Sequence, residues 1–342
     1  MRLPRTSIAR LAVCAALAAV SLTAPPLAEA APISDRCSNS VEAVGYSDSL
    51  DKVSGVGGLS ALAYDRHSGH YLTLPDHGRN GAVVFTIADP DNPRILGSPL
   101  ILKDLSGRAL GTAPDNEGLA LGRDGSLIIS SENTPSIQVF GRDGRQRFEL
   151  PVPPTFRVAP LGRAKPNATL EGLTVTPSGN RLIAAMEDAL LGENDSRTHR
   201  FLDYRRSASG RYELVRELVY HAGAGMRIAD IAAYGEDRIV VLESAFSPSS
   251  GNTVRLKTST IGPLAGTAAS RVIGNRLLAD LTHCPTLGAK SKEPQRNPLM
   301  DNYEGLVVTP NGDGRFTLRL ISDDNFSAKQ ITRLLTLTAT LP

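Results

Sequence analysis

Acidic residues recur at fixed places along this chain, and their spacing is the first sign of chemistry. The stretch "DNEGLALGRDGSLIISSEN", residues 115–133, opens with Asp115 and Glu117 and closes with Glu132 around a Leu/Ile-rich middle. "LEGLTVTPSGNRLIAAMEDAL" (170–190) and "NYEGLVVTPNGDGRFTLRLISDDNFS" (302–327) share that layout. "RIADIAAYGEDRIVVLESAFS" (227–247) and "GGLSALAYDRHSGHYLTLPDHG" (57–78) are looser copies, the latter with Gly57 in the glutamate position. The acids form a candidate set: Asp76; Glu117 with Glu132; Glu171 with Glu187; Asp230 with Glu243; Glu304 with Asp323 or Asp324. Gathered carboxylates repel, and they need cations, shared protons or arginines to coexist. Hard cations bound through carboxylate oxygens are the economical solution, and Ca²⁺ suits a flexible oxygen-rich rim. Any one of these acids reads equally well as a cap on backbone N–H groups or as an arginine partner. The set as a whole favours the cation.

Something must bring residues so distant in sequence together. Each copy reads as strand, turn, strand, acid, with turns "RDGS", "PSGN", "YGED", "NGDG" and "RHSG" that carry hairpin chemistry. The strands are nearly continuous Leu/Val/Ile/Ala runs, as expected when both faces of a sheet are covered. Antiparallel neighbours put the start of one strand beside the end of the next. Both acids of a copy therefore reach the same edge of the hairpin. Copies begin about 55 to 75 residues apart, enough for a small sheet plus a loop. Radial repetition of such sheets gives a β-propeller. The expected fold is thus all-β, a propeller of six blades, with five or seven as the alternatives; a pair of sandwiches would not need the same hairpin five times. Five blades come from the copies and a sixth from Val254–Leu281 with flanking strands. Val41–Leu50 is expected to pair with Ile331–Thr340 and close the ring. Segments 151–168, 192–211 and 290–302 read as surface loops, where specificity usually resides.

The composition agrees with this reading. With 31 glycines and 23 prolines among 342 residues, the chain is rich in turns, and tryptophan is absent. Residues 1–30 read as a signal peptide: Arg2, Arg5 and Arg10, then apolar Leu11–Ala24, then Ala28-Glu29-Ala30 as a cleavage site. The apolar run is too short to span a bilayer comfortably. The expected product is secreted, extracellular or periplasmic, with residues 31–342 as a single domain, no membrane anchor after cleavage, and a monomeric state. Loss of Arg2, Arg5, Arg10 and Glu29 takes 37 basic and 35 acidic side chains to 34 of each. That balance gives no reason to expect nucleic acid or a membrane surface as partner. Cys37 and Cys284 remain, and in an exported protein such a pair favours a disulfide. Two unpaired thiols are the alternative.

At these residues the chain resembles the phytase-like domain of exported bacterial proteins, "esterase-like activity of phytase". The matching pieces are "GGLSALAYD", "DNEGLALGRDGSLIISSEN", "LEGLTVTPSGNRLIAAMEDAL", "IADIAAYGEDRIVVLES" and "NYEGLVV…LRLISDDNFSAKQITRLL", spread over about residues 55–337. The resemblance implies a propeller and phosphoester chemistry with a divalent cation. On that reading Ca²⁺ is held by Asp76, Glu117, Glu132, Glu171, Glu187, Glu243, Glu304, Asp323 and Asp324. Glu117, Glu171 and Glu304 act as ligands, or one of them as general base, for attack of water on a small phosphorylated or ester substrate. His77, Arg79 and Lys329 lie just past second-strand ends and can meet phosphate, with Arg79 suited to bidentate contact. An exposed loop is the plainer reading of His77 and Arg79.

Other enzyme signatures fail on context. "DHGR" at residues 76–79 lacks the arginine that precedes it in histidine phosphatases. There is no G-x-S-x-G elbow, no H-E-x-x-H and no paired C-x-x-C. "SLDK" at 49–52 has S-x-x-K spacing without a helical setting. The competing reading is a secreted propeller that binds a ligand or partner without turnover and uses calcium structurally.

Overall fold

The computed structural model describes residues 36–77, 81–112, 114–263 and 269–342. The expected signal peptide and Arg79 lie outside the described residues. Among those described, regular structure consists of β-strands and three short 3₁₀ turns. No helix there is long and apolar enough to cross a membrane.

The strands form five sheets. Blade 1 runs outward through Leu59–Asp65, His70–Pro75, Val83–Ala88 and the short Arg94–Ile95, with Leu100–Ile101 also on Val83–Ala88. Blade 2 is Asn116–Leu121, Leu127–Ser131, Ser136–Phe140 and Gln146–Leu150. Blade 3 is Leu170–Val175, Arg181–Met186, Thr198–Arg206 and Tyr212–His221. Blade 4 is Arg227–Ala233, Arg238–Ser247, Gly251–Thr260 and Asn275–Asp280. Blade 5 is Tyr303–Pro310, Phe316–Ser322 and Leu334–Ala339, completed by Val41–Ser47 from the other end of the chain. The first strands of the blades neighbour one another in a closed ring: blade 1 beside 2, 2 beside 3, 3 beside 4, 4 beside 5, and 5 beside 1.

Six blades were expected; there are five. Val254–Leu281 builds no sheet of its own. It supplies the outer strands of blade 4, and Ser270–Ile273 adds a parallel edge strand to Tyr212–His221 of blade 3. The reason is that this stretch has no second apolar hairpin to line the axis. Ring closure does follow expectation, with Val41 opposite Ala339 and Ser47 opposite Leu334.

Each blade buries both faces against neighbours, which explains the unbroken apolar runs. The core accordingly divides into five clusters, one per interface. Leu173, Leu182 and Met186 of blade 3 meet Ala120 and Ile128 of blade 2, for example, and Leu59 and Leu62 of blade 1 meet Ile321 and Leu334 of blade 5. The largest cluster, between blades 4 and 5, contains Cys37 and Cys284, which are disulfide-bonded across 247 residues. Fully buried Arg333 donates to both oxygens of Asp48 at 2.7 and 2.9 Å and to the carbonyls of Pro298 and Lys290. It ties the segment before blade 1 to the last blade.

Near the axis the blades touch backbone to backbone. A Cβ on Gly172 would lie 2.8 Å from Asp230 Cα and Ile231 N, and one on Gly305 would lie 2.7 Å from the Ala61 carbonyl carbon. The glycine after the first acid of each full copy therefore sets the spacing of the ring.

Candidate functional site

The inner hairpin of every blade carries a β-bulge at one place. The register breaks after Leu59↔Pro75, Asn116↔Ser131, Leu170↔Met186, Ile228↔Glu243 and Tyr303↔Ser322. A bulge re-aims the side chain at the break. The residues that follow these pairs are Ser60 and Asp76, Glu117 and Glu132, Glu171 and Glu187, Ala229 and Ser244, and Glu304 and Asp323. Four blades thus deliver acids to one axial rim, and blade 4 delivers none.

Two sequence assignments shift by this register. Ser60, rather than Gly57, occupies the first-acid position of blade 1. Glu243 sits where blade 3 has Met186, one residue short of the rim position, and a one-residue offset turns a side chain to the other face. It is fully buried instead among Tyr220 Oη at 2.8 Å, Lys257 Nζ at 3.0 Å and the Gly223 N–H at 3.3 Å. Asp230 stands where blade 3 has Gly172. Its carboxylate accepts the N–H groups of Ile231 and Leu306 at 2.7 Å, tying blade 4 to blade 5. Asp324 is similarly engaged by backbone, accepting from Gly58 at 2.9 Å and Phe326 at 3.0 Å.

The remaining acids come together. Ligand atoms of Asp76, His77 and Asp115 lie within 4.8 Å of one another, as do those of Asp115, Glu117 and Glu132 and those of Glu132, Glu171 and Glu187. Asp115 and Glu132 are shared between successive triads. Asp115 belongs to the loop before blade 2, so the hairpin repeat did not single it out. His77 Nδ1 lies 2.9 Å from Asp76 Oδ2 and 3.1 Å from Asp115 Oδ1. It therefore stands over the acids rather than apart from them. The Asp76 hydrogen bond holds its pKa above the usual histidine value.

Burial and mutual repulsion raise the acids. Glu117 and Glu171 are held well above the usual carboxylate range by burial first and then by neighbouring carboxylates. Burial pushes Glu132 and Glu304 up to about 7. Asp323 is raised well above its usual value by burial, Glu304 and Asp76. Glu187 is raised by burial, and Arg227 draws it back. Arg227 Nη1 donates to Glu187 Oε1 at 2.7 Å, and its Nη2 lies 3.9 Å from Glu304 Oε1. Asn302 Nδ2 donates to Glu304 Oε1 at 2.8 Å. Arg227, which the repeats did not highlight, opens the inner strand of the blade that contributes no rim acid.

The donor set fits a hard divalent cation. It is all carboxylate oxygen apart from His77, and such oxygens suit Ca²⁺ better than softer metals. Asp76 Oδ1 is buried without a hydrogen-bond partner, and Asp115 Oδ1 has only the His77 Nδ1 at 3.1 Å beside it. A cation would satisfy the Asp76 oxygen and engage Asp115 with it.

Beside the acids opens a cleft of ≈ 820 Å³ lined by Lys165, Arg227, Phe246, Asn302 and Lys329, among others. Lys165 Nζ donates to Asp188 Oδ2 at 2.6 Å. Lys329 lines the cleft together with Lys165 and Arg227. A carboxylate cluster flanked by cations at one end of a propeller axis can hold a metal and an anion side by side.

The architecture and site define a five-bladed β-propeller with an acidic axial rim. Residues 54–326 match the family described as phytase-like, esterase-like activity of phytase, and the chain belongs to that family. No curated protein matches it. Among solved structures it is similar to a protein of unknown function from Bacteroides caccae, at 13% identity and a TM-score of 0.36, covering 78% of this chain and 72% of that one. It is also similar to a gluconolactonase from Xanthomonas campestris, at 13% identity and a TM-score of 0.42, covering 94% and 96%. A virginiamycin B lyase from Staphylococcus aureus is similar at 11% identity and a TM-score of 0.36, covering 82% and 66%. Likenesses at this level carry no argument about chemistry.

Proposed function

We propose that this protein is an exported, calcium-dependent phosphoester hydrolase acting at the acidic rim. One observation carries the reading: Arg227 belongs to both the carboxylate cluster and the cation-lined cleft beside it. Asp76, Asp115, Glu117, Glu132, Glu171 and Glu187 hold Ca²⁺, with Asp323 at the edge of the group. Bound Ca²⁺ supplies charge to polarise a phosphoryl oxygen and to acidify a water. Arg227, Lys165 and Lys329 take the remaining phosphate oxygens, as charge-assisted donors do. Glu304 is the general base. Burial raises its pKa above the usual carboxylate range, and Asn302 fixes its orientation. Water attacks phosphorus, Glu304 takes its proton, the ester P–O bond breaks, and the alcohol leaves with a proton from solvent.

The test is turnover of p-nitrophenyl phosphate and phytate by purified protein, with calcium or with chelator. The reading requires calcium-dependent release of phosphate that Glu171→Gln abolishes. A calcium-dependent rise in Tm without turnover would instead identify a binding propeller with structural calcium. The burial of Glu117 and Glu171, which leaves them little solvent contact, is the observation that favours that second reading.

A further inference from the structure

The hairpin of blade 4 breaks the symmetry of the ring. In the other blades the second strand stops at the rim, and the acid that follows it turns inward. In blade 4 the rim position is Ser244, yet the strands continue, with Ala245 opposite Thr253, Phe246 opposite Asn252 and Ser247 opposite Gly251. Three further residue pairs add about 10 Å of height at ~3.3 Å per residue. The hairpin stands above the acid face as a wall.

The wall is braced. The Asn252 N–H donates to Gln295 Oε1 at 2.7 Å, and the Arg296 N–H donates to the Ser250 carbonyl at 3.2 Å. Both partners belong to the 290–302 loop, so hairpin and loop support each other. Ser244, Ala245, Phe246 and Asn252 all line the cleft that holds Lys165, Arg227 and Lys329. Phe246 is 55% exposed there. Asn252 is buried to 3%, and its Nδ2 has no hydrogen-bond partner. Directly opposed residues of an antiparallel pair share a face. An open aromatic ring therefore stands on a supported surface, with an unused amide donor buried directly across the strand pair from it, facing cations suited to phosphate.

We propose that this hairpin is the subsite for the organic part of the substrate. Phe246 receives the flat face of a ring-bearing alcohol or phenol, Asn252 donates to an oxygen substituent on that ring, and the cations hold its phosphate. The inference rests on the hydrolase reading for the identity of the cleft, and it selects ring-bearing phosphomonoesters over compact ones. Recognition by an aromatic face is rigid and has low entropy cost, which suits a braced wall.

The experiment separates binding from turnover. Phenylphosphonate and methylphosphonate, neither of which has an ester bond to cleave, are titrated calorimetrically into the calcium-loaded protein. The unmodified chain is compared with Phe246→Ala and Phe246→Leu, whose exposed position leaves the fold intact, as Tm verifies. The phenyl compound is expected to bind about five-fold tighter than the methyl compound. That preference vanishes in Phe246→Ala and is partly kept in Phe246→Leu. In parallel, Phe246→Ala lowers kcat/KM for p-nitrophenyl phosphate about five-fold relative to glycerol 2-phosphate. Equal phosphonate affinities, no phosphonate binding, or a preference that survives Phe246→Ala overturns the subsite. Turnover of both esters with equal losses overturns the subsite and leaves the hydrolase standing. A Phe246-dependent phenyl preference without any turnover upholds the subsite and removes the hydrolase.

Discussion

Raising the pH of calcium-free protein tests the acid cluster most directly. Glu132 and Glu304 have values near 7 in the fold against 4.5 for a free glutamate. A carboxylate raised on folding keeps its proton longer in the native state, so stability falls as pH climbs from the unfolded value to the folded one. Each pH decade across that window is worth about 1.4 kcal/mol, which gives about 3 kcal/mol for one such group. The two groups interact, so their effects do not add, and one group's loss is the lower bound. For a domain of this size that corresponds to a fall in Tm of about 5 °C between about pH 5 and about pH 8. His77 adds to the fall at the upper end, because its value is also raised. Buried Asp301, near 7, contributes in the same direction from outside the cluster. His199, lowered by burial, acts oppositely and only below its ordinary value. Scanning fluorimetry across this range, with chelator and with calcium, reads the effect. Calcium is expected to restore the loss, apart from the shares due to Asp301 and to Asp230, which burial also raises, and Glu304→Gln to flatten the slope in chelator. A chelated protein whose Tm stays level or rises with pH would refute the argument that these carboxylates crowd one another.

Arg227→Gln removes the positive charge beside Glu187 and Glu304, so calcium binds more tightly by calorimetry while kcat/KM on p-nitrophenyl phosphate falls by about a hundred-fold. Gly172→Ala drives a methyl group into the backbone of blade 4 at Asp230, and denaturant unfolding should show a loss of about 2 kcal/mol, where a swap at exposed Gly274, which has open space and no positive φ, shows little. Replacing Cys37 and Cys284 by serine opens a 247-residue link and costs about 3 kcal/mol, seen as a lower denaturant midpoint that added reductant no longer shifts.

The repeated hairpins were legible in the sequence because their signals are local. Gly125 and Gly179 sit at positive φ in the turns "RDGS" and "PSGN", where only such a residue turns the chain tightly. The placement of Glu117, Glu132, Glu171, Glu187 and Glu304 on one rim followed from strand pairing alone. The blade count did not, because Gly251–Thr260 and Asn275–Asp280 have ordinary strand patterns, and only their partners reveal that they lie outside. Glu243 misled for a finer reason: an offset of one residue in a bulged strand reverses the direction of the side chain, and similarity of sequence does not register it. Asp115 and Arg227 were missed because a loop and a strand start supply them, on blades that share no common motif at those points.

The fifth blade takes its outermost strand from Val41–Ser47 and the rest from residues after 302. A nascent chain can stack the first four sheets as they emerge, but the ring stays a broken horseshoe until the final strand arrives to meet the earliest one. Glu304 and Asp323 lie on and just after the two strands that precede the closing one, so a chain cut before residue 303 lacks the proposed base. Closure of the disc and assembly of the acidic mouth are therefore coupled.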